Sequence, residues 1–212
     1  MKTLRVKVCG MREAANVRDI CREEPDYIGF IFVKDSARYV KPAEVAELVR
    51  GVGPDVKTVG VFRNEPLLSL IECARSGSLF AVQLHGDEDT HYVAEIKRAL
   101  PALHIFKAIE VSGDSKSLAA IQALPGVDLF VLDSGRGGTG RRFDWRLLET
   151  YTAATPFLLA GGVGPEDMRE VRQMAERIPQ LYGVDINSKV EVRAGEKDPA
   201  LVREVISEAR AV

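Results

Sequence analysis

Two apolar runs in this chain end on residues able to move a proton. Residues 6–9 (VKVC) end on Cys9, and residues 128–133 (DLFVLD) end on Asp133. A thiolate can take a proton from carbon, and a carboxylic acid can give one to an ether oxygen. Doing both at one pH demands tuning. Ordinary values are about 3.9 for aspartate and about 8.5 for cysteine, the reverse of what an aspartic acid and a cysteine base need. The four apolar residues before Asp133 predict water-poor surroundings, which favour the acid form. The bland reading of Cys9 is a small buried hydrophobe.

Other polar residues also close apolar runs. Lys34, Ser36 and Arg38 follow one run, and Gln83 and His85 close another. Asp185, Asn187 and Ser188 end a third. Arg38 suits bidentate binding of a carboxylate, or it is a solvated surface charge. Gln83 reads equally as a ligand and as a satisfied core amide. His85 reads as a rim hydrogen bonder before a general base. Lys7 is either a buried charge paired with Asp185 or an outward-facing residue. Cys21 and Cys73 fall inside helix patterns and read as packing.

The stretch LLAGGVGPEDM places Gly161 and Gly162 after an apolar run and before Pro165 and two acids. Backbone N–H groups at such a helix start can face a phosphate with no Cβ in the way. A tight turn is the plainer reading. Between Asp133 and FDW, Gly135, Gly137, Gly138, Thr139 and Gly140 form a loop. Such a loop presents N–H groups or moves as a lid.

These residues must be positioned by a scaffold, and alternation defines it. Strands are expected at roughly 4–9, 27–33, 57–62, 79–84, 104–109, 128–133, 156–160 and 181–186. Several are apolar on consecutive residues, as in parallel strands covered on both faces. Helical patterns lie between them, at 13–22, 42–50, 66–76, 88–99, 115–124, 144–152, 165–177 and 198–210. Three of these, 42–50, 66–76 and 165–177, open on proline, which suits a first helical turn. Strand–helix alternation means parallel pairing with right-handed crossovers. Eight such units with no linker predict an α/β fold, a single-domain (β/α)8 TIM barrel over residues 1–212. Active sites in such barrels sit at the C-terminal strand ends. That rim would gather the residues named above. A doubly wound sheet is disfavoured because VCGMRE is not GxGxxG.

Composition narrows the partners. Of 212 residues, 29 are Lys or Arg and 31 are Asp or Glu, and the net charge is −2. Nucleic-acid binding would leave a basic excess or stripe, so no nucleic-acid partner is expected. No apolar run reaches a membrane span and no signal peptide opens the chain, so a cytoplasmic protein with no membrane partner is expected. The three cysteines show no CxxC, and the three histidines no metal-ligand spacing, so no metal is expected.

The stretches KVCGM, GFIFVKDSARYV, VGVF, VQLHGDE, LDSGRGGTGRRFDW, PFLLAGGV and GVDINSKVE with AGEKD together resemble the phosphoribosylanthranilate isomerases. They cover nearly the whole chain. The resemblance implies the third step from chorismate in tryptophan biosynthesis, an Amadori rearrangement. N-(5-phosphoribosyl)anthranilate becomes 1-(2-carboxyphenylamino)-1-deoxyribulose 5-phosphate, with no cofactor. It further implies that Asp133 is the general acid and Cys9 the general base. Arg38 would hold the anthranilate carboxylate, and Gly161, Gly162 and Ser188 the phosphate. Gln83, His85, Asp185 and Asn187 are further candidate substrate ligands. The partner is then a small phosphorylated molecule, bound by a monomer or homodimer. Phosphate-binding N–H groups and Arg38 on the rim would favour the Cys9 thiolate.

Two departures from the family pattern stand out. Arg12 follows KVCGM where the family has threonine, and Asn187, Ser188 and Lys189 stand where it has Ser-Ser-Gly. Two rivals remain. Aminoimidazole carboxamide ribotide isomerases do similar chemistry with aspartate in place of Cys9. A non-catalytic barrel that binds a phosphorylated ligand or a partner subunit is the other.

Overall fold

A computed structural model of the chain describes residues 2–111, 118, 124–134 and 143–211. Eight parallel strands close into a barrel in sequence order. They are β1 (Arg5–Cys9), β2 (Tyr27–Ile31), β3 (Lys57–Phe62), β4 (Ala81–Leu84), β5 (His104–Glu110), β6 (Leu129–Asp133), β7 (Phe157–Leu159) and β8 (Leu181–Ile186). β8 pairs with β1 to complete the ring, with Lys7 opposite Asp185.

Side chains alternate across each strand, and both faces are covered. The inward set includes Tyr27, Val59, Ala81, Phe106, Leu129, Val131 and Leu158, which fill the barrel as a core of their own. The outward set, such as Val6, Ile28, Val82 and Phe130, joins a second core beneath the helices. Two buried faces explain why the strands read as continuous apolar runs.

The helices are α1 (Ala14–Cys21), α2 (Val45–Val49), α3 (Leu67–Ser76), α4 (Thr90–Ala99), α5 (Met168–Arg177) and α6 (Pro199–Arg210). Each buries one stripe. In α6 this is Val202, Val205, Ile206 and Ala209, the spacing of one helical face. Asp198 caps it by accepting from the Ala200 N–H at 2.8 Å.

Three expectations need correction. The 42–50 and 165–177 helices open as 3-10 turns, Pro42–Glu44 and Pro165–Asp167, before becoming α-helical. The segment 144–152 holds only a 3-10 helix, Trp145–Thr150. Tyr151 explains its early end. The ring packs against Phe157 at 4.8 Å and the hydroxyl donates to the Thr155 carbonyl at 2.6 Å, which holds the chain extended. The helix expected over 115–124 falls largely outside the described residues, as does the glycine-rich loop over 135–140.

One short hairpin was not expected: β9 (Glu191–Arg193) and β10 (Glu196–Lys197), antiparallel, after β8. Four of its five strand residues are charged, and Val192 alone makes no apolar period.

Barrel closure depends on a close approach at Gly183. A Cβ there would lie 2.0 Å from the Arg5 carbonyl oxygen. Gly183→Ala is therefore expected to cost about 1–3 kcal/mol, the scale of overpacking. In a thermal melt this should appear as a Tm about 2–10 °C lower. An unchanged Tm would show that β1 and β8 move apart freely.

Candidate active site

Every residue singled out above as catalytic or substrate-binding lines one cavity of about 620 Å³. The reason is geometric. Cys9, Gln83, Asp133 and Asp185 occupy inward positions near the C-terminal ends of β1, β4, β6 and β8. Arg38, His85, the Gly161 and Gly162 turn, Asn187 and Ser188 follow on the loops after β2, β4, β7 and β8.

Cys9 is 5% exposed. Its register partner is Gly29, where a Cβ would stand 2.9 Å from the Cys9 sulfur. Glycine on β2 therefore leaves room for the sulfur. Burial is the largest influence on the Cys9 thiol and pushes it above its ordinary value. Lys7 and Lys197 pull it down and do not prevail. The resting sulfur is therefore a thiol, which corrects the expectation of a thiolate favoured by Arg38. Arg38 interacts electrostatically with Cys9, but its stronger partner is Glu191. Its Nε donates to Oε1 at 2.8 Å and its Nη2 to Oε2 at 2.6 Å.

Beneath Cys9 lies a buried ion pair. Lys7 is completely buried, and its Nζ is 2.7 Å from Asp185 Oδ2. This settles the two readings of Lys7: it faces inward and is paired. Burial pushes the Asp185 carboxyl up, and Lys7 restrains it. Asp185 Oδ1 and Gln83 Oε1 are buried and accept no hydrogen bond among the described residues. Burying a polar atom unpaired costs about 1–3 kcal/mol. Both atoms belong to residues lining the cavity, so a hydroxyl donor there would satisfy them.

Asp133 is the last residue of β6 and only half-buried. Water-poor surroundings were expected from the apolar residues before it. Those residues face the two cores, whereas Asp133 stands at the cavity edge and accepts a long hydrogen bond from Ser134 Oγ at 3.3 Å. Burial holds the His85 imidazole below its ordinary value, against an upward pull from Asp133. The ring is neutral at neutral pH.

The glycine pair adopts left-handed backbone, with φ of +83° at Gly161 and +81° at Gly162. The first helical N–H groups are not all open to a ligand. Buried Asp167 accepts from the Gly164 N–H at 2.8 Å. The Gly161–Gly162 turn and the start of the Ser188–Val190 3-10 turn both line the cavity. Lys189 lines the cavity and also pairs with Glu166 at 3.1 Å.

Arg12 is a brace. It donates to the Ala37 carbonyl at 3.0 Å and packs where a Gly195 Cβ would stand. It thus ties the start of α1 to the Arg38 loop and the hairpin.

Sequence reasoning did not single out Glu191, Lys197 or the buried pair of Lys107 with Glu88, whose Nζ to Oε2 distance is 2.9 Å. Glu88 also accepts from the Asn64 and Gly86 N–H groups at 2.7 and 2.9 Å, which fixes the loop carrying His85. The signal for Glu191 and Lys197 was confined to the family-like stretches GVDINSKVE and AGEKD.

Known proteins are similar to this chain over nearly its whole length. The family model described as N-(5'-phosphoribosyl)anthranilate isomerase matches residues 6–208. The N-(5'-phosphoribosyl)anthranilate isomerase of Moorella thermoacetica is 38% identical over 212 residues, covering 98% of this chain and 90% of its own. The tryptophan biosynthesis protein TrpCF of Yersinia pestis is 39% identical over 96% of this chain, and this chain spans 41% of its length. A crystal structure of a phosphoribosyl anthranilate isomerase is in complex with reduced 1-(o-carboxyphenylamino)-1-deoxyribulose 5-phosphate. It superposes with a TM-score of 0.82 at 28% identity, covering 97% of this chain and 98% of its own. The match runs through nearly all of the barrel, from β1 to α6, and on that ground the chain belongs to the N-(5'-phosphoribosyl)anthranilate isomerase family.

Proposed function

We propose that Cys9 and Asp133 are the base and acid of the family's reaction in this chain. That reaction is the Amadori rearrangement of tryptophan biosynthesis. N-(5-phosphoribosyl)anthranilate, an aldosylamine, becomes the open-chain 1-(2-carboxyphenylamino)-1-deoxyribulose 5-phosphate. Residues 1–212 act as one cytoplasmic barrel domain under this reading.

The observation that carries the reading is the shared cavity. Strands β7, β8, β1 and β2 are consecutive around the ring. The glycine turn, Ser188, Cys9 and Arg38 therefore follow one another along the rim. A substrate with phosphate at one end and carboxylate at the other fits that order, with its sugar carbons beside Cys9. Asp133, on β6, closes the other side of the glycine turn.

The steps follow from the groups. Asp133 gives its proton to the furanose ring oxygen, and the C1–O bond breaks to leave a Schiff base. Cys9, as thiolate, takes the proton from C2, and the electron pair moves into an enolamine. Proton return to C1 and loss from the C2 hydroxyl yield the ketone. A thiol raised by burial makes the thiolate scarce but a stronger base. Gln83 Oε1 and Asp185 Oδ1 would accept hydrogen bonds from the ribosyl hydroxyls. His85, neutral, can donate to or accept from the substrate without adding charge.

The direct test supplies enzymatically generated phosphoribosylanthranilate and follows loss of anthranilate fluorescence without added metal. Consumption is the expected result; a protein with none would be a binding barrel instead. Arg38→Ala is expected to raise KM about ten- to a hundredfold, the scale of charged hydrogen bonds present in both ground and transition states. A KM equal to wild type would remove Arg38 from the site.

A further inference from the structure

Arg38 is held by an unusually complete clamp. Glu191 Oε1 accepts from Arg38 Nε at 2.8 Å, Gly195 N–H at 2.9 Å and Lys197 Nζ at 2.5 Å. Its Oε2 accepts from Arg38 Nη2 at 2.6 Å. Lys197 is 1% exposed and also donates to Asn187 Oδ1 at 2.6 Å. Its own backbone is locked to the Asn16 amide, by a pair of hydrogen bonds of 2.8 and 2.9 Å. A carboxylate with this many donors does not swing aside when a ligand arrives.

The clamp uses one edge of the guanidinium. Arginine carries five donors in a planar fork with two bidentate edges. Glu191 takes the Nε and Nη2 edge, and Arg38 lines the cavity. Among the described residues the edge bearing Nη1 makes no hydrogen bond, which leaves it for a second carboxylate. Charge points the same way. Arg38, Glu191 and Lys197 together carry one net positive charge in a largely buried group. One further anion neutralises it.

We propose that Glu191, held by Lys197, is the positioning residue that aims Arg38 at the benzoate carboxylate of the substrate. This rests on the reading of Arg38 given above. Burial opposes the charge on Glu191, but Arg38 and Lys197 outweigh it and keep its carboxyl below the ordinary range. The clamp therefore persists at neutral pH.

A double-mutant cycle tests this, with KM and kcat measured for wild type, Glu191→Gln, Arg38→Ala and the double variant. Glu191→Gln is expected to raise KM about tenfold, with a smaller fall in kcat, because a misaimed fork weakens binding throughout the reaction. In the Arg38→Ala background it should add less than about twofold. Inhibition by inorganic phosphate should be unchanged in Glu191→Gln, because Lys197 keeps its hydrogen bond to Asn187 Oδ1 and so holds the start of the Ser188–Val190 turn. Glu191→Asp keeps the charge with a shorter reach and should raise KM by less; it serves the same cycle if Glu191→Gln does not fold.

Any of several results would overturn the assignment. A lower KM in Glu191→Gln would make Glu191 a competitor of the substrate. A full effect persisting without Arg38 would show that it acts elsewhere. Weaker phosphate inhibition would show that the rim has collapsed. If Arg38→Ala alone leaves KM unchanged, the Arg38 reading fails and this assignment with it. If Arg38→Ala raises KM and the Glu191 variants do not, only the assignment to Glu191 fails.

Discussion

Cys9→Ser is expected to lower kcat by about a hundredfold to ten-thousandfold, the range of a lost general base. Serine fits the space that Gly29 leaves beside the sulfur, so the loss would be chemical and not steric. A hydroxyl in that place has no accessible anion near neutral pH. The pH profile separates this role from packing. Burial raises the Cys9 thiol above its ordinary value, so the thiolate fraction grows as pH rises. Wild-type kcat/KM should therefore climb with pH above neutrality, up to the thiol's own titration. Cys9→Ser should lose that limb. If the variant turns over within tenfold of wild type, or keeps the rising limb, Cys9 is not the base.

Asp133→Asn should have an effect of the same order, about a hundredfold to ten-thousandfold on kcat. The amide preserves shape and the contact with Ser134, whose Oγ is 3.3 Å from Asp133 Oδ1. It has no acidic proton to give the ring oxygen. Proton transfer occurs only in the transition state, so kcat and kcat/KM should fall together while KM stays near its wild-type value. Steady-state kinetics on the two variants, with thermal melts to show that each is folded, decide it. A large rise in KM at full kcat would make Asp133 a substrate ligand and leave the acid unassigned.

The two variants also bear on how one site holds a base and an acid of inverted ordinary strength. The structure answers for the base only by half. Cys9 is buried above a lysine already paired with Asp185, so it rests as a thiol and must be ionised to act. Arg38, the nearest rim cation in the linear reading, is neutralised by Glu191. The cations that pull the thiol down, Lys7 and Lys197, come from the barrel interior and from a hairpin after β8, and Arg38 interacts with the sulfur while bonded to Glu191.

Much of the scaffold was legible in the chain itself. The period of apolar residues, the absence of a linker and the prolines at helix starts were sufficient for a closed parallel barrel. The strands at 57–62 and 181–186 match the observed β3 and β8. Reading what each strand ends on was enough to bring Cys9, Asp133, Arg38 and the glycine pair to one rim. Local patterning sets these features, because burial on both faces forces apolar runs and the rim is where polarity can resume.

What the chain alone left open depended on distant partners. Lys7 could face in or out until register placed it opposite Asp185, 178 residues away. Arg38 read either as a carboxylate binder or as a solvated surface charge until the β9 and β10 hairpin brought Glu191 to it across 153 residues. That hairpin is short and charged, so no hydrophobic period announces it. Arg12 was a puzzle in the motif and is a brace in three dimensions. Composition and periodicity thus determined the barrel and its rim, because they record which faces are buried. Only tertiary structure decided which charges meet, and so which rim groups are poised for chemistry. An ion pair depends on the position of both its ends, and one stretch of sequence specifies just one of them.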